Sequence, residues 1–418
     1  MCASETLSVV FCRSNPIAPD PRVEKAASAL AEAGYGVVIV GWARSEKSSS
    51  PMWENGLRRY LLPINAQYGT GLRNFPPLLR WQWGLLLWLT RHRRSYDIIH
   101  ACDFDTVLPA LVCKWLFGKK VVYDIFDFYA DHLRATPTWI KQIIRWVDLG
   151  VIGQVDALVL SDEARWEQIA GLDSPHSCSH ARVPSPLRGG DNRGGVHSGE
   201  DLDDRDWMKS IAVPNNNAVI LNTPQDVRHY FARKLDSATV AGLRLVYVGL
   251  LQRERGLFQI LQLLEEHPSW QLDLAGFGGG QERILDQAES LSNLRWHGRV
   301  PYRKALALTA AADVVVALYD PALPNHRYAS PNKLFEAMML AKPVIVARNT
   351  NIDQIVSRQG CGVVVEYGNL PELEQAVADL QADVDVRHEM GANGRRAYER
   401  LYSWSKMKAR LLRLYTHL

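Results

Sequence analysis

The six cysteines make no C-x-x-C pair: Cys2, Cys12, Cys102, Cys113, Cys178 and Cys361 stand far apart. That scatter excludes a zinc knuckle and a disulfide framework, and it reads as reduced thiols in a cytoplasmic protein. Charge excess is also missing. The net charge is +3, too small to draw in nucleic acid. The N-terminus M-C-A-S-E-T runs straight into a strand, so no signal peptide is expected. The apolar stretch within 72–94 is broken by Arg80 and Gln82 and is too short to span a bilayer. No spaced G-x-G-x-x-G follows the first strand; the loop reads R-S-N-P-I-A-P-D, against a nicotinamide-dependent oxidoreductase. What remains, at 418 residues with 47% hydrophobic and 22% charged side chains, is a globular chain long enough for two domains.

Apolar runs and helical periodicities alternate along both halves. In the first, Leu7–Cys12 is a strand, Asp20 and Pro21 open a helix that Gly34 closes, and Val37–Trp42 is the next strand. This βαβ opening predicts a parallel sheet, with the loop holding Asn15 and Arg22 at its ligand-binding edge. Arg22 is either a ligand contact or a solvated helix-start cation. Strands 97–101 and 121–123 end in Asp103-Phe104-Asp105 and Asp124-Ile125-Phe126-Asp127, which bring acidic residues to the same edge. Asp103-x-Asp105 is a weak metal pattern, and Asp105 serves equally well as a helix cap. Segment 173–206 is rich in Ser, Gly, Pro, Arg and Asp without apolar period, and is expected to be a dispensable surface insertion. Segment 72–94 carries three tryptophans flanked by arginines. It suits a helix lying on an anionic membrane surface, or one packed on the sheet with a basic end.

In the second half, strands at 244–248, 271–275, 294–297, 314–317 and 344–347 alternate with helices, predicting a second doubly wound sheet. Gly249 and Gly278 fall just after strands, where backbone can approach a ligand. The most informative stretch is S-P-N-K-L-F-E-A-M-M-L-A-K-P, Ser330 to Pro343. Ser330 is expected as N-cap, Pro331 as the first helical residue, and Lys342-Pro343 as the stop after about three turns. Glu336 sits alone in an apolar run, on one face with Asn332 and beside Lys333. A helix N-terminus with a carboxylate one turn inside suits a diphosphate followed by a ribose diol.

This stretch resembles the donor-binding helix of the retaining GT-B glycosyltransferases, the large family that includes sucrose synthase and bacterial mannosyltransferases. The resemblance extends through D-P-R-V-E-K-A-A-S-A-L-A-E-A-G-Y, Y-D-I-I-H-A-C-D-F-D-T-V-L-P-A-L, V-G-L-L-Q-R-E-R-G and the final W-S-K-M-K-A-R-L-L-R-L-Y. It implies two Rossmann-like α/β domains facing across a cleft. Residues 1–222 would hold the acceptor and 223–395 the nucleotide sugar, with a helix in 396–418 returning to the first domain. It implies that Glu336 holds the ribose, and that Ser330, Pro331, Asn332, Lys333, Tyr328, Gly249, Gly278 and Arg253 line the donor site. Arg255 stabilises the leaving diphosphate, with Asp103 and Asp127 as further catalytic candidates and Asn15 and Arg22 on the acceptor side. It also implies a glycan or lipid-linked acceptor, a peripheral location at the inner face of a membrane, and no cofactor or divalent metal. Three positions depart from the family: Leu250 replaces a cation, Phe126 a histidine and Tyr328 a sugar-contacting glutamate. They motivate the alternative of an inactive relative that binds a nucleotide or a partner.

Overall fold

β-Branched and aromatic runs, each followed by a helix that buries one stripe, build two parallel sheets. The computed structural model describes residues 6–17, 20–44, 52–54, 57–66, 75–133, 136–170, 213–231 and 242–418; the insertion expected at 173–206 lies outside them. The chain divides into two units, Met1–Val219 with His417–Leu418, and Ile220–Thr416. By this division the closing helix, up to Thr416, falls within the second unit. Among the described residues no helix is long and apolar enough to cross a membrane.

The first unit runs β1 (Ser8–Arg13), α1 (Pro21–Glu32), β2 (Gly36–Ala43), β3 (Met52–Glu54), β4 (Leu57–Pro63), α2 (Phe75–Arg91), β5 (Ile98–Cys102) and α3 (Phe104–Phe117). It continues with β6 (Lys120–Ile125), α4 (Tyr129–His132), α5 (Thr138–Ile152), β7 (Ala157–Leu160), α6 (Arg165–Ile169) and β8 (Asn217–Val219). The sheet order is β3-β4-β2-β1-β5-β6-β7-β8, parallel except for the β3–β4 pair. Side chains alternate across the strands, so Val10, Cys12, Val40, Trp42, Ile99, Ala101, Val121 and Tyr123 share one face. Trp81, Leu85 and Leu89 of α2, Val107 and Leu111 of α3, and Leu149 and Ile152 of α5 pack into the same cluster. Trp42 and Trp81 stack at 5.4 Å. As expected, Asp20 caps α1, accepting a hydrogen bond from the Val23 N–H, with Pro21 in the first turn.

The second unit runs β9 (Arg244–Leu250), α7 (Leu257–Glu266), β10 (Gln271–Phe277), α8 (Gln281–Ala288), β11 (Leu294–Trp296), α9 (Tyr302–Ala311), β12 (Val314–Ala317) and α10 (Pro324–Arg327). Then come α11 (Asn332–Met339), β13 (Val344–Ala347), α12 (Asn351–Gln359), β14 (Gly362–Val365), α13 (Leu370–Ala382), α14 (Val384–Ala397) and α15 (Trp404–Thr416). Its sheet order, β11-β10-β9-β12-β13-β14, is the doubly wound 3-2-1-4-5-6 arrangement. The strand order reverses beside β9, and ligands of such sheets bind at the carboxyl ends of the strands flanking that point.

α11 corrects the sequence reading at both ends. Pro331 is the cap and Asn332 the first helical residue; no side chain caps the helix, and the Ser330 hydroxyl faces the Asn222 N–H at 3.5 Å. The helix lasts 8 residues, closer to two turns than three. It ends before Lys342-Pro343 because Ala341 takes a left-handed conformation (φ 57°). The Lys342 N–H then reaches the Ala337 carbonyl at 2.9 Å and the Ala341 N–H the Met338 carbonyl at 3.2 Å, a Schellman closure.

Candidate functional site

In the second unit the expected residues Arg255, Lys333, Gly249 and Glu336 come together where β9 and β12 end. After β9 the chain turns through Arg253–Arg255, and Arg255 lays its guanidinium 4.3 Å from the centre of the Tyr319 ring, just past β12. Lys333, in the first turn of α11, holds its ammonium 4.1 Å from the Tyr247 ring and 5.4 Å from that of Tyr319. Gly249 is needed for that placement: at φ 151° a Cβ there would stand 2.8 Å from Lys333 Nζ. Gly278 answers to the protein's own backbone, since its Cβ would lie 2.7 Å from the Leu251 carbonyl oxygen.

The electrostatics set this cluster apart. Burial first, then repulsion from Arg255, pushes the Lys333 ammonium down to about 7, with Glu336 acting in the opposite direction. Neither Arg255 nor Lys333 has a carboxylate within ion-pair distance among the described residues. Arg255 Nε and Asn332 Oδ1 are buried without a hydrogen-bond partner. Glu336 lies inside α11 at 9% exposure, as expected. Tyr302, which opens α9 and is itself exposed, hydrogen-bonds to it; desolvation around the hydroxyl and then that carboxylate raise the phenol above its ordinary range.

Other expected residues are placed less directly. Arg253 is exposed, and its carbonyl accepts a hydrogen bond from the Tyr367 hydroxyl at 3.3 Å. Tyr328 is buried and closes the α10 turn, its N–H donating to the Pro324 carbonyl at 3.2 Å. Leu250, at a family cation position, is 41% exposed.

Sequence reasoning missed Tyr247, Tyr302, Tyr319, Asn325 and His326. Both amide atoms of Asn325 and Nδ1 of His326 are buried without partners. His326 meets Tyr319 edge-on at 5.5 Å; burial and then Arg255 push its imidazole down to about 4, so it is neutral at pH 7. The place of Tyr319 just past β12 is the signal that could have found it, because strand ends at the reversal point line such sites.

The first unit treats its cations differently. Arg13 pairs with Asp20 at 3.0 Å and with Asp103, whose other oxygen accepts the Phe126 N–H at 2.9 Å. Asp103, not Asp105, takes the cap position of α3, at φ 67° and without a capping hydrogen bond. Asp105 is buried, and that burial raises its carboxyl to about 6. Arg22 is buried rather than solvated. It grips Asp124 at 2.7 Å, and Asp124 also meets His100 at 3.3 Å. Burial works against that carboxylate, yet Arg22 and His100 hold it below the usual range. Arg13 and Arg22 both lie over Phe126, at 4.2 and 4.6 Å. Asn15 donates to Asp20 at 2.8 Å and caps the Ile17 N–H at 2.7 Å. Asp127 pairs with fully buried Arg165, which also binds Ser161 and Gln168. Asn15 and Asp103 thus share one polar network through Asp20 and Arg13, Arg22 pairs with Asp124, and Asp127 pairs with Arg165. The described residues include one group with metal-ligand spacing, Glu266, His267 and Glu374, in the second unit and apart from Asp103 and Asp105.

Two doubly wound units, the second carrying unpaired cations and a helix N-terminus at its reversal point, define the GT-B class. Two family models match: "Glycosyl transferase 4-like domain" over residues 18–177 and "Glycosyl transferases group 1" over 241–397. The chain belongs to the glycosyltransferase 4-like, GT-B-fold family. Curated relatives include glycogen synthase of Mycobacterium tuberculosis, 24% identical over 178 residues, covering 41% of this chain and 42% of that one. D-inositol 3-phosphate glycosyltransferase of Corynebacterium jeikeium is 27% identical over 186 residues, covering 41% and 43%. The match thus spans about two fifths of those relatives' length. Among solved structures, sucrose-phosphate synthase from Thermosynechococcus elongatus superposes with a TM-score of 0.74 at 15% identity, over 98% of both chains. Anabaena Alr3699/HepE, solved with UDP and glucose, gives 0.65 at 12% identity over 99% of this chain and 100% of its own.

Proposed function

We propose that the protein is a glycosyltransferase that moves a sugar from a nucleotide sugar to a glycan or lipid-linked acceptor, with retention of anomeric configuration, in cell-surface polysaccharide or glycolipid synthesis. One observation carries the reading: Arg255 and Lys333 converge on the Tyr319 ring, close enough to repel, and among the described residues neither has a carboxylate within ion-pair distance. Two such cations at a helix N-terminus cost stability unless an anion neutralises them, and a diphosphate has the charge and the shape. Glu336, one turn inside α11, is suited to accept the ribose hydroxyls. As the sugar departs, charge grows on the diphosphate, and cations already in place stabilise it without reorganising. Support for retention comes from the first unit: Asp103 and Asp127 are each engaged by an arginine, which disfavours either as a free general base. This chemistry needs no divalent metal. In this reading the second unit holds the donor and the first the acceptor, and a lipid-linked acceptor would bring the Phe75–Arg91 helix to a membrane.

Calorimetry with UDP, GDP and ADP, followed by hydrolysis assays on the matching nucleotide sugars, tests the proposal. One diphosphate binding in the micromolar range, and its nucleotide sugar turning over slowly without acceptor, is the expected result. Failure of all three to bind would refute it.

A further inference from the structure

Large apolar side chains left exposed in the first unit gather on one helix layer. α2, α3 and α5 pack into the same cluster on one face of the sheet. α2 turns Trp81, Leu85 and Leu89 inward and leaves Phe75, Leu79, Trp83 and Leu87 exposed. That outer stripe recurs every four residues along the helix. α3 ends in exposed Trp115, Leu116 and Phe117, and Arg93 lies over the Phe117 ring at 5.5 Å, joining the ends of α2 and α3. α5 leaves Trp139, Ile143 and Trp146 exposed while burying Leu149 and Ile152. Among the described residues, every exposed tryptophan lies on these three helices.

The charges identify the partner. From Phe75 to Arg94 the chain has no Asp or Glu, and Arg80, Arg91, Arg93 and Arg94 are exposed. Thr138 to Val147 is acid-free as well and carries the partly exposed Lys141. Large apolar side chains exposed together on one helix layer mark an interaction site. Tryptophan rings flanked by arginines match the boundary between acyl chains and anionic headgroups, where the ring is half wet and the cation meets phosphate. A sheet-packing role accounts for the inner faces of these helices and leaves the outer ones unexplained.

We propose that the outer faces of α2 and α5 and the end of α3 act as one surface that docks on an anionic membrane, seating Trp83, Trp115, Trp139 and Trp146 among the headgroups. Docking involves no nucleotide, so it stands or falls separately from the donor reading.

Flotation of the full chain with phosphatidylcholine vesicles, with and without phosphatidylglycerol, tests it. Wild type floats with the mixed vesicles and detaches as salt rises, because attraction beyond a Debye length is screened. Trp139→Ser/Ile143→Ser/Trp146→Ser on α5 lowers partitioning about tenfold or more, and Leu79→Ser/Trp83→Ser/Leu87→Ser on α2 does the same, roughly 1.4 kcal/mol per decade. An unchanged melting temperature shows the variants folded. Should one unfold, quenching of wild-type tryptophan fluorescence by brominated lipid decides instead, with strong quenching expected. The proposal is overturned by equal binding to neutral vesicles, by no binding, by no quenching, or by an α5 variant that floats like wild type. It is equally overturned if wild type is a dimer that ignores vesicles and the α5 variant is a monomer.

Discussion

Binding of a nucleoside diphosphate should draw a proton onto Lys333. In the free protein, burial and Arg255 hold this ammonium near 7, so at pH 8 only about one molecule in ten carries the charge. A diphosphate beside it reverses the sign of the local field and raises the bound value. The bound state then holds more protons than the free state between the two values, so affinity falls as pH rises through that window. The limiting slope is about tenfold per pH unit; from pH 7 to pH 9 the loss is about 50-fold if the bound value exceeds 9. The diphosphate's own last ionisation, near pH 6, is complete before this window opens. Calorimetry at pH 8 in buffers of different ionisation enthalpy counts the proton directly, using whichever of UDP, GDP or ADP binds best. Wild type should take up close to one proton. Lys333→Arg, whose guanidinium stays charged, should take up about none and bind with little pH dependence. No uptake by wild type, or equal uptake by Lys333→Arg, would show that Lys333 does not meet the diphosphate.

Glu336→Gln should weaken the same diphosphate about tenfold or more, because hydrogen bonds to a charged acceptor are each worth roughly 1.5–3 kcal/mol. The 2′- and 3′-deoxy forms should bind wild type weakly and lose little further in the variant, as calorimetry can show. Ala341→Gly should stabilise by about 0.5–1 kcal/mol, since alanine pays a steric cost at φ 57° that glycine does not; a urea midpoint that fails to rise counts against it. Gly391→Ala should destabilise by about 1–3 kcal/mol in the same titration, because its Cβ would stand 2.2 Å from the Ala341 carbonyl oxygen.

The doubly wound sheets were legible because their central strands are buried on both faces and read as apolar runs: Val9 to Cys12, Ile98 to Cys102 and Val314 to Ala317. β4, with two arginines in seven residues, escaped this test, although Arg59 is buried within it. Glu336 was legible for the opposite reason: a lone carboxylate in an apolar helix has to be explained. The end of α11 was hidden because alanine rarely takes the left-handed conformation that stops it. Arg22 was hidden too, since its partner Asp124 is 102 residues away in sequence. Tyr319 read as an ordinary loop residue until the topology put it just past β12, where His326 of α10 meets it edge-on.

The contrast between the two units bears on the family departures. Arg13, Arg22 and Arg165 each find a carboxylate within the first unit, so these cations are already neutralised and serve to fix loops. Arg255 and Lys333 have none within ion-pair distance among the described residues, and the second unit accepts their repulsion. Buried or half-buried cations left unpaired are costly, and a chain that only had to fold could remove Lys333 by a single change to methionine. In the proposed reading, Leu250 at the family's other cation position spares the site a third positive charge, and Arg255 and Lys333 remain to meet a diphosphate. Tyr328 acts at a different point. Being buried, it takes the glutamate's position without offering a carboxylate to a sugar, while the unpartnered amide of Asn325, three residues earlier, supplies both a donor and an acceptor. If the proposed donor reading holds, the diphosphate grip is kept and sugar recognition passes from a charged group to neutral ones.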